Sequence, residues 1–181
     1  MAGTIGVIIG SLRKESFSRK IANFLVENPP VGHTLEIIEI GDLNMYNQDF
    51  DEQEAPDSYG PFREKVKSMK AIIFVTPEYN RSVPGVLKNA IDVGSRPYGE
   101  SVWDGKPALV VSNSISGLSG FGANHHLRQS LVFLNMPTMP QPEVYLPSVQ
   151  DFFDGNGKLT KSDTGDFLKD VLKSFVAFAN R

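Results

Sequence analysis

An apolar run ends at Gly10, and Ser11-Leu12-Arg13-Lys14-Glu15-Ser16-Phe17-Ser18 follows. Three hydroxyls and two cations stand just ahead of a helical pattern, which is the make-up of an anion site. The first N–H groups of a helix lack partners within it, and the helix dipole adds positive potential there. Ser11, Ser16 and Ser18 can donate through their hydroxyls, and Arg13 offers a planar fork of N–H groups. The second glycine of G-x-x-x-x-G-K-[ST] is missing, as are the three glycines that let a backbone approach a pyrophosphate. A single terminal phosphate suits this loop better than a dinucleotide. The alternative is a plain strand-to-helix turn whose serine caps the helix and binds nothing.

Two further segments carry chemistry. In Thr76-Pro77-Glu78-Tyr79-Asn80-Arg81-Ser82-Val83-Pro84-Gly85 the prolines each fix φ and stiffen the loop. A carboxylate, a phenol and an amide held on such a loop suit a planar polar ring. The alternative is a turn in which Glu78 caps the helix that follows. Residues 112–122 hold four serines and three glycines ahead of another helix. They could close on the other face of a flat ligand with backbone donors, although strand-to-helix loops are often rich in Gly and Ser.

The elements that must position these loops alternate along the chain. Strands are expected at 4–9, 34–40, 71–76, 107–112 and 143–146, and helices at 18–26, 61–69, 86–93, 123–134 and 165–179. Residues 41–59 read as a polar surface loop, and 154–157 as a turn. Continuous apolar strands alternating with helices imply a parallel sheet covered on both faces. The expected fold is α/β: one flavodoxin-like, three-layer domain over 1–181, with five parallel strands in the order 2-1-3-4-5. In that order the ligand lies where the strand sequence reverses, between the first and third strands, which is where the loops at 10–18 and 77–84 fall.

Composition narrows the function. The chain has 181 residues, is 40% hydrophobic and 22% charged, and has a net charge of −3. Its basic residues are scattered, so nucleic acid is not an expected partner. With no cysteine, disulfides, thiolate catalysis and Cys-ligated metals are excluded. No apolar run has the length of a membrane span and no signal peptide is visible, so the expected setting is cytoplasmic, away from membranes. His125 and His126 are adjacent on a helix and point about 100° apart, so they cannot share an ion, and no metal site is expected. Trp103 reads as ring packing at a surface, and Glu52 and Glu54 as solvated charges.

Taken together, the three loops resemble the NADPH-dependent FMN reductase family, in particular its chromate/quinone reductase branch. The resemblance rests on Gly10-Ser11-Leu12-Arg13-Lys14-x-Ser16, on residues 76–85 with Leu87-Lys88-Asn89-Ala90-Ile91-Asp92, and on His126-Leu127-Arg128-Gln129 with Leu131-Val132-Phe133-Leu134. It runs from about residue 4 to residue 146. It implies bound FMN, NADPH or NADH as co-substrate, and two-electron transfer to quinones, chromate, azo or nitro compounds, or free flavin. By the same match Ser11, Arg13, Ser16, Phe17 and Ser18 surround the FMN phosphate. Pro77, Glu78, Tyr79 and Asn80 lie along the isoalloxazine, and Ser116 and Gly117 approach it from the third loop. The chain departs from the family pattern at 115–122. The flavin carries the chemistry, so no catalytic side chain is expected. Donor and small-molecule acceptor would use one surface in turn, giving a ping-pong cycle. A homodimer or homotetramer is implied, and apolar helix surface at 86–93 and 127–134 points the same way. A flavodoxin-type electron carrier without enzymatic activity is the alternative; such carriers are usually far more acidic than this chain.

Overall fold

The computed structural model describes residues 3–181. The apolar runs become β1 (Gly3–Ile9), β2 (His33–Ile38), β3 (Ala71–Thr76), β4 (Ala108–Asn113) and β5 (Val144–Leu146). All neighbours pair in parallel, in the order β2-β1-β3-β4-β5. Between them lie α1 (Phe17–Glu27), α2 (Tyr59–Ser68), α3 (Gly85–Gly94) and α4 (Phe121–Phe133), and α5 (Ser162–Ala179) follows β5.

Every residue of β3 and β4 is buried, because helices cover both faces of the sheet. On one face Ile21 and Leu25 of α1 and Leu168, Leu172 and Phe175 of α5 pack on Val7, Ile9, Ile73, Val75 and Val111. On the other, Phe62 and Val66 of α2, Leu87 and Ile91 of α3, and Leu127 and Leu131 of α4 pack on Ile8, Ile72, Phe74 and Val110. Alternate residues of one strand thus feed two separate cores.

Register decides where the loops meet. Ile9 lies opposite Val75, and Thr76 opposite Ser112. Gly10 and Pro77 therefore leave the sheet at its carboxyl edge, next to Asn113, the last residue of β4.

Two expectations are corrected. Trp103 is fully buried rather than at the surface. Its Nε1 donates to the Ile91 carbonyl at 2.9 Å, and its ring packs against Phe62 and Phe74. The one polar atom of the indole finds an acceptor at the end of α3, so the whole ring can enter the core. Gly94 makes the space: a Cβ there would lie 2.6 Å from the indole. Residues 41–59 are also more than a surface loop. They contain a 3-10 turn, Gln48–Asp51, while Tyr46 and Phe50 pack on the second core and Tyr59 is fully buried. Asn89 of α3 organises the segment. Its Nδ2 donates to the Asn44 carbonyl, and its Oδ1 accepts from the Tyr46 N–H at 2.8 Å. A carboxylate of the same segment, Asp51, takes an ion pair from Arg96 at 2.7 Å and a bond from the Tyr46 hydroxyl.

Candidate functional site

The loop after β1 is built on buried serines. Ser11, Ser16 and Ser18 are all buried. Ser16 is the N-cap of α1, and its Oγ accepts from the Arg19 N–H. Ser11 Oγ accepts from the Arg13 N–H, and Ser18 Oγ accepts from Asn113 Nδ2 at 2.9 Å. Each hydroxyl is used as an acceptor, which leaves its O–H to donate elsewhere. The N–H groups of Phe17 and Ser18 open the helix with no acceptor among the described residues.

Charge around this loop is sorted by pairing. Arg19 makes a bidentate pair with Glu39, and Lys20 pairs with Glu15. The hydrogen bond to Arg19 holds the Glu39 carboxyl below its usual range and raises the guanidinium in turn. Arg13 is exposed and has no ion-pair partner among the described residues. Three O–H donors, two helix-end N–H groups and an unpaired guanidinium can together hold a doubly charged anion. The Phe17 ring stacks on Phe153, with centroids 6.2 Å apart.

The loop after β3 is a two-residue hairpin. Tyr79 and Ser82 exchange both backbone bonds, at 3.1 and 3.0 Å. Asn80 and Arg81 form its tip with φ of 51° and 64°. Two positive values in succession are the type I′ geometry, which asparagine tolerates well and arginine less so. Tyr79 is 48% exposed. Glu78 departs from the capping alternative: it leaves α3 alone and caps α4. Its Oε2 accepts from the Ala123 N–H at 3.1 Å, and Oε1 lies 3.6 Å from Arg81.

In the third loop Ser116 and Gly117 are exposed, and the chain is folded on itself through Ser114 Oγ and the Ser116 carbonyl. A Cβ at Gly117 would meet nothing within 4 Å, so the fold does not itself require glycine there.

One residue that sequence reading passed over ties the loops together. Asn113 closes β4 and is buried; its Nδ2 bonds Ser18 Oγ and, at 3.1 Å, the Thr76 carbonyl. The available signal was an amide ending an otherwise apolar strand, which must find partners once buried. Gly10 lets β1 and β3 close up beside it, since a Cβ there would stand 2.9 Å from Thr76 Oγ1. The two histidines turn to different partners, His126 to Ser82 and His125 to Tyr145. Burial, then a bond to Glu143, pushes the Tyr145 phenol up.

The comparisons with known proteins agree with this geometry. The chain is 51% identical over 175 residues to a quinone reductase of Pseudomonas putida, covering 97% of this chain and 94% of the relative. It is 36% identical to an NAD(P)H-dependent FMN reductase of Pseudomonas aeruginosa, covering 96% and 94%. Among solved structures, FerB, a flavoenzyme NAD(P)H:(acceptor) oxidoreductase of Paracoccus denitrificans, superposes with a TM-score of 0.91 at 34% identity over 99% of this chain and 98% of that one. Residues 4–151 match the family model described as NADPH-dependent FMN reductase. With that match, these relatives and its parallel sheet in 2-1-3-4-5 order, the chain belongs to the NADPH-dependent FMN reductase family.

Proposed function

We propose that this protein transfers two electrons from NAD(P)H to quinones, with FMN held where the loops of β1, β3 and β4 converge. The observation that carries this reading is the donor set at the start of α1: buried serine hydroxyls, two free N–H groups and the unpaired Arg13. That set fits the terminal phosphate of FMN. FMN, when bound, supplies the redox chemistry.

The chain's own residues bind and orient. Ser11, Ser16 and Ser18 donate hydroxyls to the phosphate, Phe17 its backbone N–H, and Arg13 its charge. Pro77 to Asn80 line the ring edge through backbone and the Tyr79 face, and Ser116 and Gly117 close from the third loop. The hairpin bonds use the N–H groups of Tyr79 and Ser82 and leave those of Asn80 and Arg81 without a backbone acceptor among the described residues, so that ring carbonyls can take them. Tyr79 frames one opening, so donor and acceptor occupy it in turn. Electron-poor molecules of similar size, including chromate, azo and nitro compounds and free flavin, belong to the same reading. So do a cytoplasmic setting and a homodimer or homotetramer.

The assembly would use α4. Leu127 and Leu131 are buried in the core, and so are Leu87, Ile91 and Val93 of α3, so neither supplies free apolar surface. The outward side of α4 does: Val132 is 72% and Phe133 89% exposed at its last turn, while Phe121, His125 and His126 are exposed nearer its start.

The test is direct. Purified protein titrated with FMN at micromolar concentration is expected to quench flavin fluorescence with saturation. The loaded protein should then oxidise NAD(P)H in the presence of a benzoquinone, with parallel initial-rate lines at several quinone concentrations. A flat FMN titration overturns the reading.

A further inference from the structure

Glu78, Ser82 and the carbonyl of Arg81 all rest on the first turns of α4. The Glu78 carboxylate accepts from the Ala123 N–H at the positive end of the helix. Ser82 Oγ and His126 Nδ1 lie 3.0 Å apart. Between these two points the Arg81 carbonyl approaches Gly122 so closely that a Cβ there would fall 2.6 Å from its oxygen and 3.0 Å from Glu78 Oε2. Gly122 is within the helix and needs no unusual φ, so its lack of a side chain serves this approach and not its own backbone.

The hairpin needs such a support. Its tip holds two consecutive residues at positive φ, one of them an arginine, and Tyr79 and Asn80 are exposed. Its own cross-strand bonds number two. An isolated hairpin of this size has no stability of its own in water. The angle at which Tyr79 meets the opening is therefore set from outside the hairpin.

We propose that Gly122 and His126 of α4 are positioning residues for the acceptor side of the site: they fix the Tyr79–Ser82 hairpin and through it the affinity for the electron acceptor, while touching neither cofactor nor substrate. The inference rests on the reading of the protein as an FMN-dependent quinone reductase with Tyr79 at the opening.

Gly122→Ala is the sharpest test. Alanine is the better helix former, so α4 is favoured by the change while the hairpin is pushed off it. The expected result is a quinone KM raised about 3- to 10-fold, the range a lost hydrogen bond of this class covers. The kcat should stay within about twofold, and the FMN dissociation constant, set mainly by the phosphate loop after β1, should rise clearly less than the quinone KM. The visible circular dichroism of bound FMN should change as the Tyr79 ring moves. His126→Phe should raise KM in the same direction. His126→Gln, whose amide can still bond Ser82, should restore it. Because position 126 is on the surface, the histidine variants are expected to fold like the parent, as a thermal melt will check.

The outcomes separate cleanly. Wild-type protein that fails to bind FMN or to turn over quinone defeats the functional reading itself. An active wild type with unchanged KM in both Gly122→Ala and His126→Phe overturns this inference alone. Equal losses in FMN affinity and KM in the folded variants also overturn it, since the helix would then be supporting the whole site and not the hairpin.

Discussion

The loop after β1 and the hairpin after β3 follow neighbouring parallel strands at the same edge of the sheet, yet they are held in opposite ways. The first is part of the core. Its serines are buried, and Ser18 is bonded to Asn113, which also bonds the end of β3. The second stands out from the sheet, exposed at its tip, and rests on one helix. A cofactor that stays through many turnovers calls for donors already fixed before it binds, which lowers the ordering cost of binding. A substrate that must leave each time is better met by a support that can be tuned without disturbing the anchor.

The largest expected effect comes from breaking the anchor. Asn113→Ala removes two buried bonds and leaves the Thr76 carbonyl and Ser18 without their donor. About 3 kcal/mol of stability is expected to go, read as a fall in the urea midpoint. FMN affinity should fall with it, because Ser18 loses its orientation. Arg13→Ala comes next and sharpens the contrast. Its guanidinium has no partner in the protein, so stability should be unchanged, while FMN binding weakens by about 1.5–3 kcal/mol for the lost charge-assisted bond. Riboflavin, lacking the phosphate, should bind parent and variant alike; calorimetry with both ligands checks this. Tyr79→Ala should reverse the pattern, raising the acceptor KM by roughly 3- to 10-fold with FMN retained, a change of about 1 kcal/mol. A matching loss of FMN would erase the distinction between the two regions.

The smallest effect concerns the pair that fixes α1 to the end of β2. Arg19 holds the Glu39 carboxyl below its ordinary range. A lowered folded-state value means that the stability it contributes is present above the ordinary carboxylate range. That contribution is lost as pH falls through the lowered folded value. Glu39 is 63% exposed, so solvent screens the pair to about 0.2–1 kcal/mol. Glu39→Gln should therefore be slightly less stable than the parent at neutral pH, and the gap should close in acid. A gap independent of pH would assign the effect to packing.

The sheet was legible because its strands are buried on both faces: Val7-Ile8-Ile9 and Ile72-Ile73-Phe74-Val75 leave little choice of structure. The serine loop was legible because its chemistry is local, with Ser16 capping the helix three residues before Arg19. What stayed hidden depends on partners remote in sequence. Glu78 meets a backbone N–H 45 residues away, and Asn113 reaches Ser18 across 95. Trp103 looked like a surface ring because nothing near it in sequence shows that Gly94 is empty and Ile91 offers a carbonyl. The Phe17 ring stacks on Phe153, a partner 136 residues on that nothing in the local sequence announces.

Asn89 carries one more consequence, for the order in which the molecule opens. The Tyr46 N–H has a side-chain acceptor on α3 in place of a strand or helix partner. Its exchange with solvent deuterium therefore requires either local release of that amide or unwinding of α3. The segment 43–46 and the middle of α3 form one cooperative unit in this sense. Their slow amides should lose protection together as denaturant is added, although more than 40 residues of chain and the whole of β3 lie between them.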